Sequence, residues 1–120
     1  MPQLFNIMAT IDWEQFNENF QYYDRDTIRE VVDNFLEEYE DRLITLEKNI
    51  SESDFTQLSF NAHSLKSVIG NFMAPRPYEL CRKIEELAKQ NSGGSIPALF
   101  AELKNSVYEL SKELTDYLKK

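Results

Sequence analysis

The residues best able to do chemistry in this chain lie in one short stretch: Ser59, His63, Lys66 and Gly70, spaced 4-3-4. On a helix that spacing makes a single stripe. His63 is the only histidine of the chain, and it carries a lysine three residues on and a glycine seven residues on. Glycine inside a helix costs about 1 kcal/mol relative to alanine, and in return it leaves a bare patch that another macromolecule can approach. Spacing alone leaves two readings open. His63 is either a plain surface residue or a functional imidazole, and Gly70 is either a landing patch or a mark of close helix packing. Metal binding is disfavoured, because one His and one Cys without a partner at ligand spacing do not make a site. A hydrolase triad is disfavoured as well. Ser59 and Ser67 lie one turn from His63, but no carboxylate on that segment can orient the ring.

The stripe must be held by a helix, and the neighbouring residues supply one. Phe55, Leu58, Ala62, Leu65, Ile69 and Phe72 follow a 3-4-3-4-3 spacing, a core-facing seam beside which the His63 stripe is rotated toward solvent. The spacing predicts a helix over about 53–72. Before it, Ile28, Val31, Val32, Phe35, Leu36, Tyr39, Leu43, Leu46 and Ile50 predict a long helix over about 27–49. Pro75 and Pro77 suit the first turn of a helix over about 76–90 on Leu80, Ile84 and Leu87. Asn91-Ser92-Gly93-Gly94 is the clear loop, after which Ser95 is placed to cap a last helix over about 96–117 on Leu99, Leu103, Val107, Leu110 and Leu114. Asp12 is placed to cap a short helix over about 13–20. With no alternating strand pattern, the expectation is an all-α fold: an up-and-down four-helix bundle with an additional N-terminal helix, in one domain spanning 1–120.

Composition bounds what such a bundle can do. The chain has 120 residues, 42% apolar and 28% charged, with 3 Gly and 4 Pro, enough for a core without metal or disulfide staples. Cys81 has no partner for an internal disulfide, no N-terminal stretch reads as a signal peptide, and no apolar run approaches the roughly 18 residues of a membrane span. A cytoplasmic setting is expected. The net charge of −8 disfavours nucleic acid and anionic membrane as partners. That charge is uneven: residues 1–60 carry 14 acids and 4 bases, residues 61–120 carry 7 acids and 9 bases. An anion is therefore better accommodated in the second half.

The order Ala62-His63-Ser64-Leu65-Lys66, then Gly70-Asn71-Phe72 and Ala74, then Leu80-Cys81-Arg82-Lys83-Ile84-Glu85 resembles the signature of histidine-containing phosphotransfer (HPt) domains. The resemblance implies a phosphorelay intermediate that takes a phosphoryl group from the aspartyl-phosphate of one receiver domain and passes it to another. By position it implies His63 as the phospho-accepting residue, Lys66 as the neighbouring cation and Gly70 as a small residue admitting the receiver. The partners implied are receiver domains of a hybrid histidine kinase and of a response regulator. Such a protein is a phosphoryl carrier rather than an enzyme, monomeric and without its own cofactor, since Mg²⁺ and the aspartate come from the partner. The chemistry agrees. A histidine, with a pKa near 6.5, is mostly neutral near pH 7 and offers one ring nitrogen as a nucleophile. A lysine on the same helix face holds a compact positive charge beside the transferring group. No glycine-rich phosphate loop suggests a nucleotide site.

Three positions depart from the family pattern. Ser67 and Met73 stand where glycine is usual, and Pro77 stands where a hydrophobic residue precedes the Leu-Cys pair. Ser67 is small enough to keep His63 accessible, and its hydroxyl is in reach of a phosphoryl oxygen. Phe60, nearly opposite the core seam and close to His63, is either an exposed anchor for the partner or is covered by Leu4, Phe5, Ile7 or Met8. Two rival readings remain. A dimerising histidine-kinase hairpin usually carries an acid directly after the histidine, where this chain has Ser64. A plain helical interaction module without phosphate would have His63 buried or blocked.

Overall fold

The computed structural model describes residues 9–120, and among these it is all-helical: α1 Trp13–Phe20, α2 Arg25–Ser51, α3 Phe55–Gly70, α4 Pro75–Lys89 and α5 Ile96–Leu118. The four long helices form a ring in which α3 packs between α2 and α4, and α5 closes it against α4 and α2. The core is a continuous cluster. Leu58, Ala62, Leu65, Ile69 and Phe72 of the predicted seam are all fully buried, with Phe55 packed at its edge.

Local chemistry explains the element ends. Asp12, Asp24 and Asp54 each accept the backbone N–H three residues on (Gln15, Thr27 and Gln57), capping α1, α2 and α3. Helix α2 begins at Arg25, two residues earlier than expected, because Asp24 is its cap. Helix α3 is shorter than the predicted 53–72 at both ends. Ser53 sits at φ 53°, and Met73, past the far end, at φ 54°. Left-handed residues stop a helix. After α2, Ser53 N–H bonds to the Ile50 carbonyl and Asp54 N–H to the Asn49 carbonyl, a complete Schellman motif. Asn91, at φ 53°, closes α4 in the same way through Ala88 and Leu87. Met73 therefore performs in the left-handed region what the usual glycine would do, and its carbonyl is not idle: it accepts Asp12 N–H at 2.8 Å.

Some expectations are corrected. Ser95 precedes α5, but its side chain caps nothing. Helix α4 begins at Pro75, with Pro77 buried inside its first turn. Leu87 and Leu99 pack against the core as expected but are only half-buried, and Ala88, Ile96 and Phe100 are the fully buried residues beside them. Gly93 is required by packing. A Cβ there would stand 2.9 Å from the Phe55 ring. Helix α1 closes one end of the bundle through Trp13, Phe16, Phe20 and Tyr117, whose rings stack or meet edge-on at centroid separations of 4.8–5.8 Å. Glu113 of α5 anchors the approach to it, accepting Thr10 N–H at 2.7 Å and Ile11 N–H at 3.1 Å.

Candidate functional site

His63 stands at mid-length on α3 with its side chain 60% exposed. The seam beside it locks the helix rotation, so the imidazole is presented outward by the burial of Ala62 and Leu65. Across the groove α4 brings up Glu85, whose side chain is almost wholly buried on the helix that also buries Ile84 and Ala88. This one carboxylate organises the site. Its Oε2 meets His63 Nδ1 at 3.0 Å, its Oε1 accepts Lys66 Nζ at 2.7 Å, and Lys89 Nζ lies 3.1 Å from the same Oε2 that holds the ring.

Electrostatics follow from that crowding. Burial alone pushes the Glu85 carboxyl up, but the hydrogen bonds from Lys66, Lys89 and His63 outweigh it and hold the group at about 2. Glu85 is therefore an ionised acceptor at neutral pH. The Lys66 ammonium is raised, chiefly by its hydrogen bond to Glu85 and against the opposing effect of burial. An acceptor-only carboxylate on Nδ1 fixes the neutral ring as the Nδ1–H tautomer, leaving the Nε2 lone pair free on the exposed side.

The other residues of the stripe distribute around the ring. Ser59 is half-buried and borders a hollow of about 280 Å³ shared with Phe55, Thr56, Ala88, Lys89 and Asn91. Phe60 is 70% exposed; the residues 4–8 expected as its possible cover lie outside the described residues. Ser67 is exposed, and its hydroxyl donates to the His63 carbonyl at 3.1 Å. Its proton is thus bound within the helix rather than offered to a phosphoryl oxygen. Gly70 is half-buried, and a Cβ there would touch the Tyr78 ring at 3.5 Å, an ordinary contact. It borders an apolar hollow of about 430 Å³ lined by Gln15, Met73, Ala74, Pro75 and Tyr78 among others. On the α2 side Arg42 donates to Ser64 Oγ at 3.0 Å. Cys81 is buried, and burial pushes its thiol up to about 12.

Sequence reasoning missed Glu85 as a partner of the ring, although the residue closes the quoted Leu80–Glu85 run. The signal was present: a lone acid within the apolar stripe Leu80, Cys81, Ile84 and Ala88 needs a buried cation or donor to satisfy it. Lys89, one turn later, was also missed.

Among the described residues, no cluster of three or more His, Cys, Asp or Glu side chains could hold a metal ion, and no helix is long and apolar enough to cross a membrane. A search of curated proteins finds no match. The fold is that of a solved structure, histidine-containing phosphotransfer protein B (HptB) from Pseudomonas aeruginosa PAO1, which superposes with a TM-score of 0.83 at 22% identity over 90% of this chain and 93% of that one. The family model for the Hpt domain matches residues 30–113, from the first turns of α2 to near the end of α5. The chain belongs to the Hpt domain family, and its role is histidine phosphotransfer in a phosphorelay.

Proposed function

We propose that His63 is the residue that carries the phosphoryl group, accepting it from the aspartyl-phosphate of a receiver domain in a hybrid histidine kinase and delivering it to the receiver aspartate of a response regulator. The observation that carries this reading is the exposed imidazole bonded through Nδ1 to an ionised, buried Glu85, with Nε2 unencumbered. In the transfer, the Nε2 lone pair forms a bond to phosphorus while the phosphorus–oxygen bond to the partner's aspartate breaks. The carboxylate leaves with that electron pair, and no proton needs to move. The ring retains Nδ1–H and becomes cationic, and the charge develops 3.0 Å from Glu85 Oε2, an anion already in place before the reaction. Delivery to the second receiver is the reverse with a new carboxylate as nucleophile.

Lys66 contributes a fixed positive charge beside the transferring group, held through its bond to Glu85. Gly70 and Ser67 keep the approach low, Ser59 borders it, and Phe60 offers the partner an aromatic anchor. The protein acts as a monomeric cytoplasmic carrier supplying half of a phosphotransfer site in one domain, with the acidic, Mg²⁺-binding half on the receiver. Nothing in the geometry favours the plain interaction module, since its sealed histidine is opposed by the 60% exposure of the ring.

The test is transfer of label from a phosphorylated receiver domain to the full chain. Parent protein is expected to acquire an acid-labile, base-stable adduct, and His63→Gln none. Equal labelling of the two proteins would falsify the assignment.

A further inference from the structure

Three donors converge on one carboxylate in this site, and they are not equivalent. Lys66 occupies Oε1 alone at 2.7 Å with a side chain only 17% exposed. Lys89 shares Oε2 with the ring at 3.1 Å and is 63% exposed. It is the last residue of α4, beside the hollow that Ser59 and Thr56 border on the α3 side, so its long side chain has open space toward α3. The charge count also leaves a place for it. With the ring neutral, Glu85 carries one negative charge against two ammonium groups. Two arginines of the flanking helices are committed elsewhere. Arg82 is turned to Glu79 and Glu86 on its own helix, and Arg42 is bonded to Ser64 across on α2.

We infer that Lys89 is the mobile cation of the site: once a phosphoryl group is on Nε2 of His63, Lys89 leaves Glu85 and pairs with the phosphoryl oxygens. This inference rests on the proposed role of His63. The exchange is favourable at both ends. A dianionic group replaces a shared carboxylate oxygen as the partner of Lys89. Oε2 is released to the Nδ1–H of a ring that has become cationic, and Lys66 stays behind to keep Glu85 in position. Lys66 and Lys89 thereby divide the work, one holding the carboxylate that orients the ring and the other following the cargo.

The experiment uses the full chain phosphorylated with phosphoramidate or, where that donor is too slow, with a phosphorylated receiver domain. The ³¹P resonance of the phosphohistidine is followed against pH in the parent, Lys89→Gln, Lys89→Arg and Lys66→Gln. A neighbouring ammonium lowers the pH at which a phosphoryl group takes up its proton. The midpoint should therefore rise by roughly 0.5 pH unit in Lys89→Gln, the size expected for a screened surface charge, and stay at the parent value in Lys89→Arg. An exposed lysine used only for stability would not move this midpoint. An unchanged midpoint in Lys89→Gln, or a shift seen only in Lys66→Gln, overturns the inference while leaving His63 as carrier. A parent chain that takes no phosphoryl on His63 overturns the underlying reading and the inference together.

Discussion

The two flanks of α3 face their neighbouring helices with opposite chemistry. Toward α4 the contact is ionic and buried: Lys66 and His63 reach one carboxylate that burial would otherwise neutralise. Toward α2 it is polar and part-buried, with no ion pair between the two helices among the described residues. Asn61 donates to Asn49 at 2.8 Å and Arg42 to Ser64 at 3.0 Å. Among the described residues, the hydrogen bond of the ring goes to the α4 flank alone. On the proposed role of His63, the helix that presents the nucleophile thus has one side that tunes it and one side that holds the helix in place. The distinction has a physical source, since only an ionised acceptor can both select the Nδ1–H tautomer and stabilise the cationic ring that transfer creates.

Removing the charge of Glu85 tests that contrast most severely. Glu85→Gln keeps the shape but leaves Lys66 half-buried without its counter-ion. Stability to urea should fall by about 3 kcal/mol, as for other broken buried pairs. Phosphoryl acceptance from a receiver should slow by an order of magnitude or more, as when a carboxylate that orients a functional histidine is lost. A variant transferring at the parent rate would remove the reason for setting the two flanks apart.

Acid titration asks the same question without a mutation. The Glu85 carboxyl is depressed from an ordinary 4.5 to about 2 in the folded chain. Its contribution is therefore fully present above the ordinary value and is lost as pH falls through that window. With a side chain only 7% exposed, the group contributes on the order of 3 kcal/mol. Denaturant midpoints recorded from pH 5 down to pH 2 should decline in the parent, with a clearly shallower decline in Glu85→Gln. Superimposable profiles would mean that the ion cluster adds nothing to folding.

These features were unequally legible in the amino-acid order. The seam of α3 and the flank position of His63 follow from periodicity, because the buried set repeats every three or four residues and the helix has no other way to hide it. Helix α1 was legible because Asp12 caps it locally, within three residues. That Glu85 needs a buried cation or donor was legible from its place in the apolar stripe of α4. Which side chains supply it was not, because the pairing depends on how α3 and α4 are rotated against one another and no repeat within either helix encodes it. The ends of α3 were misplaced because Ser53 and Met73 take left-handed backbone without being glycine. A glycine at either position would have marked the stop. Leu87 packs at the edge of the core as its spacing implies, while full burial falls one residue later, on Ala88.

The α2 flank gives the complementary test. Asn49 is buried, and among the described residues its side chain bonds to Asn61 alone. Truncation to alanine removes one buried hydrogen bond and leaves the Asn61 amide without a partner there, a loss of about 1–2 kcal/mol. Melting curves should show that loss, while the rate of labelling by a receiver stays within about twofold, since no charge near the ring has changed. A stability loss with normal transfer is what a purely supporting flank produces. A transfer defect larger than the stability defect would show that the α2 side also reaches the ring.

Arg42→Ala is the finest probe, because Arg42 is the one cation on that flank near His63 and its side chain is 31% exposed. Its ion pair with Glu38 is long at 3.4 Å and partly in water, so the stability change should be under about 1 kcal/mol. If Arg42 only tethers Ser64, receiver-dependent labelling should keep both its rate and its salt dependence. If the guanidinium instead guides the partner's anionic site, the rate should fall at low ionic strength and converge with the parent at high salt. That outcome would turn the supporting flank into part of the docking surface and leave the buried carboxylate, rather than the placing of cations, as the true difference between the two sides of α3.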